Sequence, residues 1–300
     1  MYTLTKTEAE GLKFIEIFNP ENKSKASICL TQGGRLSSLE LDGIKILADY
    51  EPSTYAANYA SSILFPFVNR IRDGKYTFED IDHVLECNEV DKNNALHGLV
   101  YDKTFECIQH ELTSNHGSIT LQYKHDGTCQ GFSFKFDIQL TYTLTEETIG
   151  LSVEIINEDD KTFPFTIGWH PYFVSKNLDE SSIDFDSNTQ YLFDQQQTIS
   201  GTTPLAVEMP YSLKGVKLDD GYPLQNNTIA FLTPEYRLTM TSTSQQNYLQ
   251  LYTPNTPNVI AIEPMTGAAD SFNNKLGLQK LNPKDRYIVK WNITFENLMD

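Results

Sequence analysis

Residues 131–156 read GFSFKFDIQLTYTLTEETIGLSVEII, and this stretch decides the fold class. Phe132, Phe134, Phe136, Ile138, Leu140, Tyr142 and Leu144 recur at every second position, with mostly polar residues between them. A period of two puts all seven on one side of an extended chain, whereas a helix would need a period near 3.6, so a long half-buried strand is expected. After the turn-like TEETIG, Ile149, Leu151, Val153 and Ile155 resume the same period. The expectation is an antiparallel hairpin. RYIVKWNITFEN, residues 286–297, repeats the pattern through Tyr287, Val289, Trp291, Ile293 and Phe295, and reads as a closing strand of the same sheet system.

The shorter pieces ASICL, GSITLQYKH, IDFDSNTQYLF, YRLTMTST, YLQLYT and NVIAIEPM are of strand length, rich in β-formers and separated by Gly, Pro, Asn and Asp. No segment carries an amphipathic helix of three turns. Strands without intervening helices exclude a βαβ parallel sheet and leave an all-β sandwich or barrel, of which a large antiparallel two-sheet sandwich is the expectation. No linker or internal repeat divides the chain, so residues 1–300 are expected to form a single domain.

Hydrophobic residues at 39% and aromatics at 12% describe an ordered globular chain. A formal net charge of −17 repels nucleic acid and anionic membrane surfaces alike, and favours a neutral ligand. The opening MYTLTKTEAEGLKF lacks an apolar signal core, and no run of about 18 apolar residues occurs, so a cytoplasmic protein is expected. Cys29, Cys87, Cys107 and Cys129 form no C-x-x-C pair and read as free thiols. Phosphate-loop, dinucleotide, serine-elbow and H-E-x-x-H motifs are all absent.

What remains is a set of polar residues in apolar or turn-rich surroundings. His170 stands in the middle of IGWHPYF, and Glu263 follows the apolar run NVIAI. Each precedes a proline, which presses it toward extended backbone and suggests a strand end. Asn69 and Arg70 lie in LFPFVNRIRDGKYTF, His97 in NNALHGLVYD, and Asp219 in KLDDGYPL. Each also has a purely structural reading: Arg70 as an ion-pair partner, His97 as a turn residue before Gly98, Asp219 as turn chemistry beside Asp220 and Gly221, His170 as a core histidine. Glu263 resists that reading most, because a carboxylate is costly to bury unless paired. His83, His110, His116 and His125 lie in polar segments and are expected at the solvated surface.

Taken in order, ILFPFVNRIRDGKYTF, ALHG, the His-Pro-Tyr-Phe of IGWHPYF, LDDGY and IEPMTGAADSFNN resemble the aldose 1-epimerases, or mutarotases, of the galactose-mutarotase-like family. The resemblance spans nearly the whole chain. It implies a supersandwich of antiparallel sheets, a sugar site on an open concave face, a small-molecule sugar as partner, and neither metal nor organic cofactor. It also implies Glu263 as general base, His170 as general acid, His97 as a second histidine against the sugar, and Arg70 and Asp219 as hydroxyl binders, with Asn69 beside them. Asp220 competes with Asp219, and only the three-residue offset to Tyr222 separates them.

Interconverting α and β anomers requires a base to take the C1 hydroxyl proton while an acid protonates the ring oxygen. An ionised Glu263 and a protonated His170 are expected to do so. The Gly-Trp-His-Pro-Tyr-Phe context departs from the Thr-Asn-His of well-known galactose mutarotases. A related branch takes hexose 6-phosphates and needs extra positive charge; Arg72 and Lys75 lie near Arg70, but RIRDGKY reads as a strand and turn whose alternate residues face away, so a free aldohexose is expected. Two readings compete with an epimerase: a non-catalytic sugar-binding or sugar-sensing protein, and a cupin-like isomerase with a metal on His97, His170 and Glu263.

Overall fold

The computed structural model describes residues 1–47, 49 and 54–299. Ten strands hold or back the site. In chain order they are β1 (Arg70–Arg72), β2 (Asn94–Leu96), β3 (Lys135–Leu144), β4 (Thr148–Asn157), β5 (Gly168–Trp169), β6 (Tyr172–Val174), β7 (Asp219–Pro223), β8 (Tyr248–Tyr252), β9 (Val259–Met265) and β10 (Arg286–Asn297). The only α-helices among the described residues are two four-residue turns, Tyr55–Asn58 and Ser271–Asn274. No helix there is long and apolar enough to cross a membrane.

The hairpin forms as its periodicity demands. β3 pairs antiparallel with β4, Leu140 opposite Val153 and Tyr142 opposite Leu151, and β4 pairs in turn with β10, Val153 opposite Val289. These three strands are the middle of a nine-stranded antiparallel sheet. Along β4 every second residue is buried, so one face packs inward and the other meets solvent. Each fully buried Leu, Val or Ile on the inner face contributes about 1.5–3 kcal/mol of transfer free energy.

Two expectations are corrected. The ladder of β3 starts at Lys135, not at Phe132, because the chain turns at Gly131, where φ is +79° and a Cβ would meet the Val84 carbonyl oxygen at 2.3 Å. Phe132 and Phe134 are buried instead against the ring of Phe163, with centroids 5.6 and 5.9 Å apart. IDFDSNTQYLF is two strands in different sheets, Ser182–Phe185 and Thr189–Phe193. Ser187 lies between them and donates its hydroxyl to the carbonyls of Thr189 and Pro223, fixing the corner.

The second layer is an eleven-stranded sheet. One apolar core joins the layers: Ile15, Ile28, Leu36 and Leu39 of the eleven-stranded sheet cluster with Leu121, Leu140, Val153 and Trp291 of the nine-stranded one. β9 lies inside the larger sheet, with β8 along one side and β6, then β5, along the other. Its alternate residues Ile260 and Ile262 join the core, as do Trp169 and Phe173 from its neighbours. The opposite parity therefore faces away from the core: Ala261, Glu263 and Met265 on β9, His170 and Tyr172 beside them, Tyr248, Gln250 and Tyr252 on β8. Two small apolar clusters cover that face. One holds Ala60, Tyr172 and Ala261 with Tyr252, the other Leu64, Val68 and Met265 with Tyr248.

Candidate active site

Glu263 and His170 lie between these two clusters. The carboxylate is in the strand interior, opposite Gln250, not at a strand end as Pro264 suggested. Pro264 is tolerated for a definable reason. Ile262 and Thr266 donate their N–H groups to the Pro171 and Ile167 carbonyls, so the intervening N–H on that side would point into the gap between β5 and β6, where no partner strand requires it. His170 and Pro171 are that gap. The backbone of His170 is pinned on both sides, its N–H to the Ser62 carbonyl at 3.0 Å and its carbonyl to the Ser61 N–H at 2.8 Å. The imidazole Nε2 stands 3.3 Å from Glu263 Oε1, with the two side chains only 6% and 2% exposed. Tyr172 stacks on the imidazole at 5.1 Å and 24°.

His97 meets this pair from the other side, its ring edge-on to that of His170 with centroids 5.1 Å apart. It is placed by two left-handed residues in succession, His97 at φ +63° and Gly98 at φ +78°. Glycine is required at the second, because a Cβ there would lie 2.2 Å from the Phe65 carbonyl oxygen. Asn69, buried and itself left-handed at φ +51°, accepts the His97 N–H on its carbonyl at 2.8 Å and takes one Arg70 N–H on Oδ1 at 3.1 Å. Arg70 opens β1, opposite Leu96 of β2, and its guanidinium forms a two-point ion pair with Glu89, both contacts 2.8 Å. Asn69 thus contacts both His97 and Arg70.

Asp219 and Asp220 separate cleanly. Asp219 Oδ1 accepts a hydrogen bond from Gln250 Nε2 at 3.0 Å, on the face carrying Glu263, whereas Asp220 is bonded to Gln190. Gln250 was not singled out in the sequence. Its signal is visible in hindsight: in YLQLYT, Leu249 and Leu251 take the core parity and leave a buried amide on the same side as Tyr248 and Tyr252.

Charge and burial set the protonation of the pair. Burial, reinforced by the Asp219 charge and only partly opposed by Arg70, holds Glu263 well above the usual carboxylate range. Burial pushes His170 down to about 4. Burial, the neighbouring His170 and Arg70 hold His97 well below the ordinary imidazole value. Both directions favour the uncharged forms, the reverse of the expected ionised Glu263 and protonated His170. Three buried polar atoms in this cluster, His170 Nδ1, Glu263 Oε2 and His97 Nδ1, have no hydrogen-bond partner. Buried groups of this kind are normally satisfied, so these three atoms have hydrogen-bonding capacity left over.

Other expectations sort as follows. Trp169 and Phe173 serve the core, leaving Tyr172 as the IGWHPYF aromatic on the site face. Arg72 is turned to Asp194, Gln196 and Thr198. His110 is exposed, but His125 is buried, 4.8 Å from the Phe136 ring, and His83 stacks on Tyr76 at 4.7 Å, because aromatic neighbours across the strands cover both. All four cysteines are free thiols. Among the described residues no three His, Cys, Asp or Glu side chains are arranged to hold a metal ion, which gives the cupin-like alternative no ligand set.

Two antiparallel sheets closed on one core, with a buried His–Glu pair on the outer face of the larger sheet, define a β-sandwich of the galactose-mutarotase-like fold. A galactose mutarotase-like protein from Clostridium acetobutylicum superposes with a TM-score of 0.88 at 17% identity over 99% of each chain. A galactose 1-epimerase from Lactobacillus acidophilus NCFM does so at 0.80 and 17%, also over 99% of each. The family model for aldose 1-epimerase matches residues 14–294, and the chain belongs to that family of carbohydrate isomerases. Among curated proteins it is 25% identical over 277 residues to the uncharacterized protein YihR of Escherichia coli (strain K12), covering 88% of both. It is 23% identical over 294 residues to the chromosomal LacX protein of Lactococcus lactis subsp. lactis, covering 89% of this chain and 95% of that one.

Proposed function

We propose that this protein interconverts the α and β anomers of a free aldohexose, with His170 and Glu263 as the acid–base pair and His97, Arg70 and Asp219 on the sugar hydroxyls. The observation that carries the reading is the buried 3.3 Å contact between His170 and Glu263, with the outer atoms of both groups and of His97 left without partners. Ring opening needs one group that gives a proton and one that takes it. A pair holding a single labile proton meets that need in either tautomer. With the proton on Glu263 the pair is neutral; moving it to Nε2 makes the ionised base and charged acid, a separation that sugar hydroxyls and the Arg70 N–H groups would stabilise. After rotation about C1–C2 the ring closes on the other face of the aldehyde, and the same two transfers run backwards.

The test is polarimetry on freshly dissolved α-D-glucose and α-D-galactose. His170→Asn and Glu263→Gln are each expected to lower the catalysed rate by about 10²–10⁴-fold in folded protein. Sugar binding with no catalysed anomerisation by the unmodified chain would point instead to a binding protein.

A further inference from the structure

Arg70 is the cation through which this site could hold an anion, and the structure has already filled its fork. Nε donates to Glu89 Oε2 and Nη2 to Oε1, both at 2.8 Å, and Nη1 donates to Asn69 Oδ1 at 3.1 Å. Three of the five guanidinium N–H groups are thereby used and two remain. The planar two-point face is the one that recognises a phosphate, and Glu89 occupies it.

Glu89 is itself held firmly. Its backbone exchanges both hydrogen bonds with Asn94 across the short turn Val90–Lys92, its Oε2 accepts from Asn94 Nδ2 at 2.8 Å, and Lys92 Nζ lies 3.6 Å from Oε1. Burial works to raise its carboxyl, but the hydrogen bonds from Arg70 and Asn94 outweigh it and leave Glu89 lowered. Arg70 and Lys92 are both paired with Glu89, Asp219 adds a further carboxylate beside Glu263, and Arg72 is committed to Asp194. A phosphate dianion entering here finds no surplus positive charge. To take the Arg70 fork it must strip Glu89, whose side chain is 15% exposed, of its partner.

We propose that Glu89 sets the charge of the substrate: by occupying the Arg70 fork it turns that side chain into a donor to uncharged hydroxyls and excludes phosphorylated aldoses. The inference rests on the reading of Arg70 as a sugar ligand. Glu89 is in this sense a positioning residue, acting through Arg70.

Anomer exchange followed by NMR on D-glucose and on D-glucose 6-phosphate tests it, with wild type, Glu89→Gln and Glu89→Asp. The wild type is expected to favour the free sugar by about 100-fold or more in kcat/KM. Glu89→Gln should shrink that preference by about tenfold or more, chiefly through a lower KM for the ester, with a higher KM for glucose. Glu89→Asp, which keeps the charge, should keep the preference; a merely structural role would lower both activities in proportion and leave the ratio fixed. An unchanged ratio in folded Glu89→Gln, or a wild type that uses the ester as well as the free sugar, overturns the proposal, and the wild-type comparison decides by itself if Glu89→Gln does not fold. Calorimetry with glucose 6-phosphate separates this from the epimerase reading. Tighter binding by Glu89→Gln than by wild type supports the role of Glu89 even if neither protein anomerises any sugar, an outcome that would count against the epimerase reading alone.

Discussion

The hairpin β3–β4 and the strip made of β5, β6 and β9 both lie inside antiparallel sheets, yet they use the two faces of a strand differently. Along the hairpin, burial alternates residue by residue except at Asp137, which is buried between Phe136 and Ile138: one face is core and the other is turned to water. Along the strip it does not, since six consecutive residues of β9 from Ile260 to Met265 are buried. The second face is covered by small apolar clusters and by Glu263 and His170 themselves. In the hairpin, burial stabilises the fold. In the strip, the same burial is imposed on ionisable groups, which it drives away from their ordinary protonation.

Substitutions can break this contrast in both directions. The largest effect is expected in the strip, on rate far more than on folding: the roughly 10²–10⁴-fold loss from Glu263→Gln or His170→Asn should come with a cooperative unfolding transition close to that of the wild type. The hairpin should answer in the opposite currency. Leu140→Ala, which empties a fully buried position opposite Val153, should cost about 2–5 kcal/mol in denaturant unfolding. Anomerisation per folded molecule should stay unchanged, and a loss of turnover without a loss of stability would show that the hairpin's role had been misread.

The same contrast explains what the sequence displayed. Phe136 to Leu144 and Ile149 to Ile155 announce a hairpin because water on one face enforces polar residues there. NVIAIEPM announces only a strand, because both its faces are covered and parity leaves no trace, and YLQLYT, though it alternates, does not say which of its faces is core. Which side Gln250 or Glu263 takes follows from tertiary pairing. Motif order singled out His170, Glu263, His97, Arg70, Asp219 and Asn69, but it could not show that Arg70 is paired to Glu89, 19 residues away, nor that burial pushes both members of the pair toward their uncharged forms. Those depend on distances that no local pattern encodes. The polar surroundings of His83 and His125 misled for the same reason, since the rings that cover them come from other strands.

A smaller effect separates two left-handed glycines. Gly98→Ala meets the Phe65 carbonyl oxygen at 2.2 Å and must shift the backbone that carries His97, whereas Gly215→Ala, also at positive φ, meets nothing within 4 Å. About 1 kcal/mol of backbone cost is common to both. Gly98→Ala should cost about 1–3 kcal/mol in total and also raise KM for the sugar, while Gly215→Ala should leave the kinetics alone. Equal kinetics in the two variants would mean that His97 does not depend on the Gly98 geometry.

The smallest effect is the most specific to the strip. Glu263 is raised in the folded protein, so its contribution is fully present below the unfolded carboxyl value near 4.3 and is lost as pH climbs toward its folded value. His170, lowered to about 4, acts on the other flank: its folded form resists protonation, so stability falls as pH drops from about 6.5 toward 4. The buried pair therefore destabilises the fold on both sides of a weakly acidic window, and only the alkaline side belongs to Glu263. Glu263→Gln removes that titration without removing the side chain's bulk. The variant should lose less stability than wild type between pH 5 and pH 8, and be the more stable protein at pH 8 by about 1 kcal/mol, while being the poorer catalyst. Parallel stability curves for the two proteins over that range would mean that Glu263 is not held protonated by its burial. The proton shared with His170 would then have to reside on the imidazole before any sugar arrives.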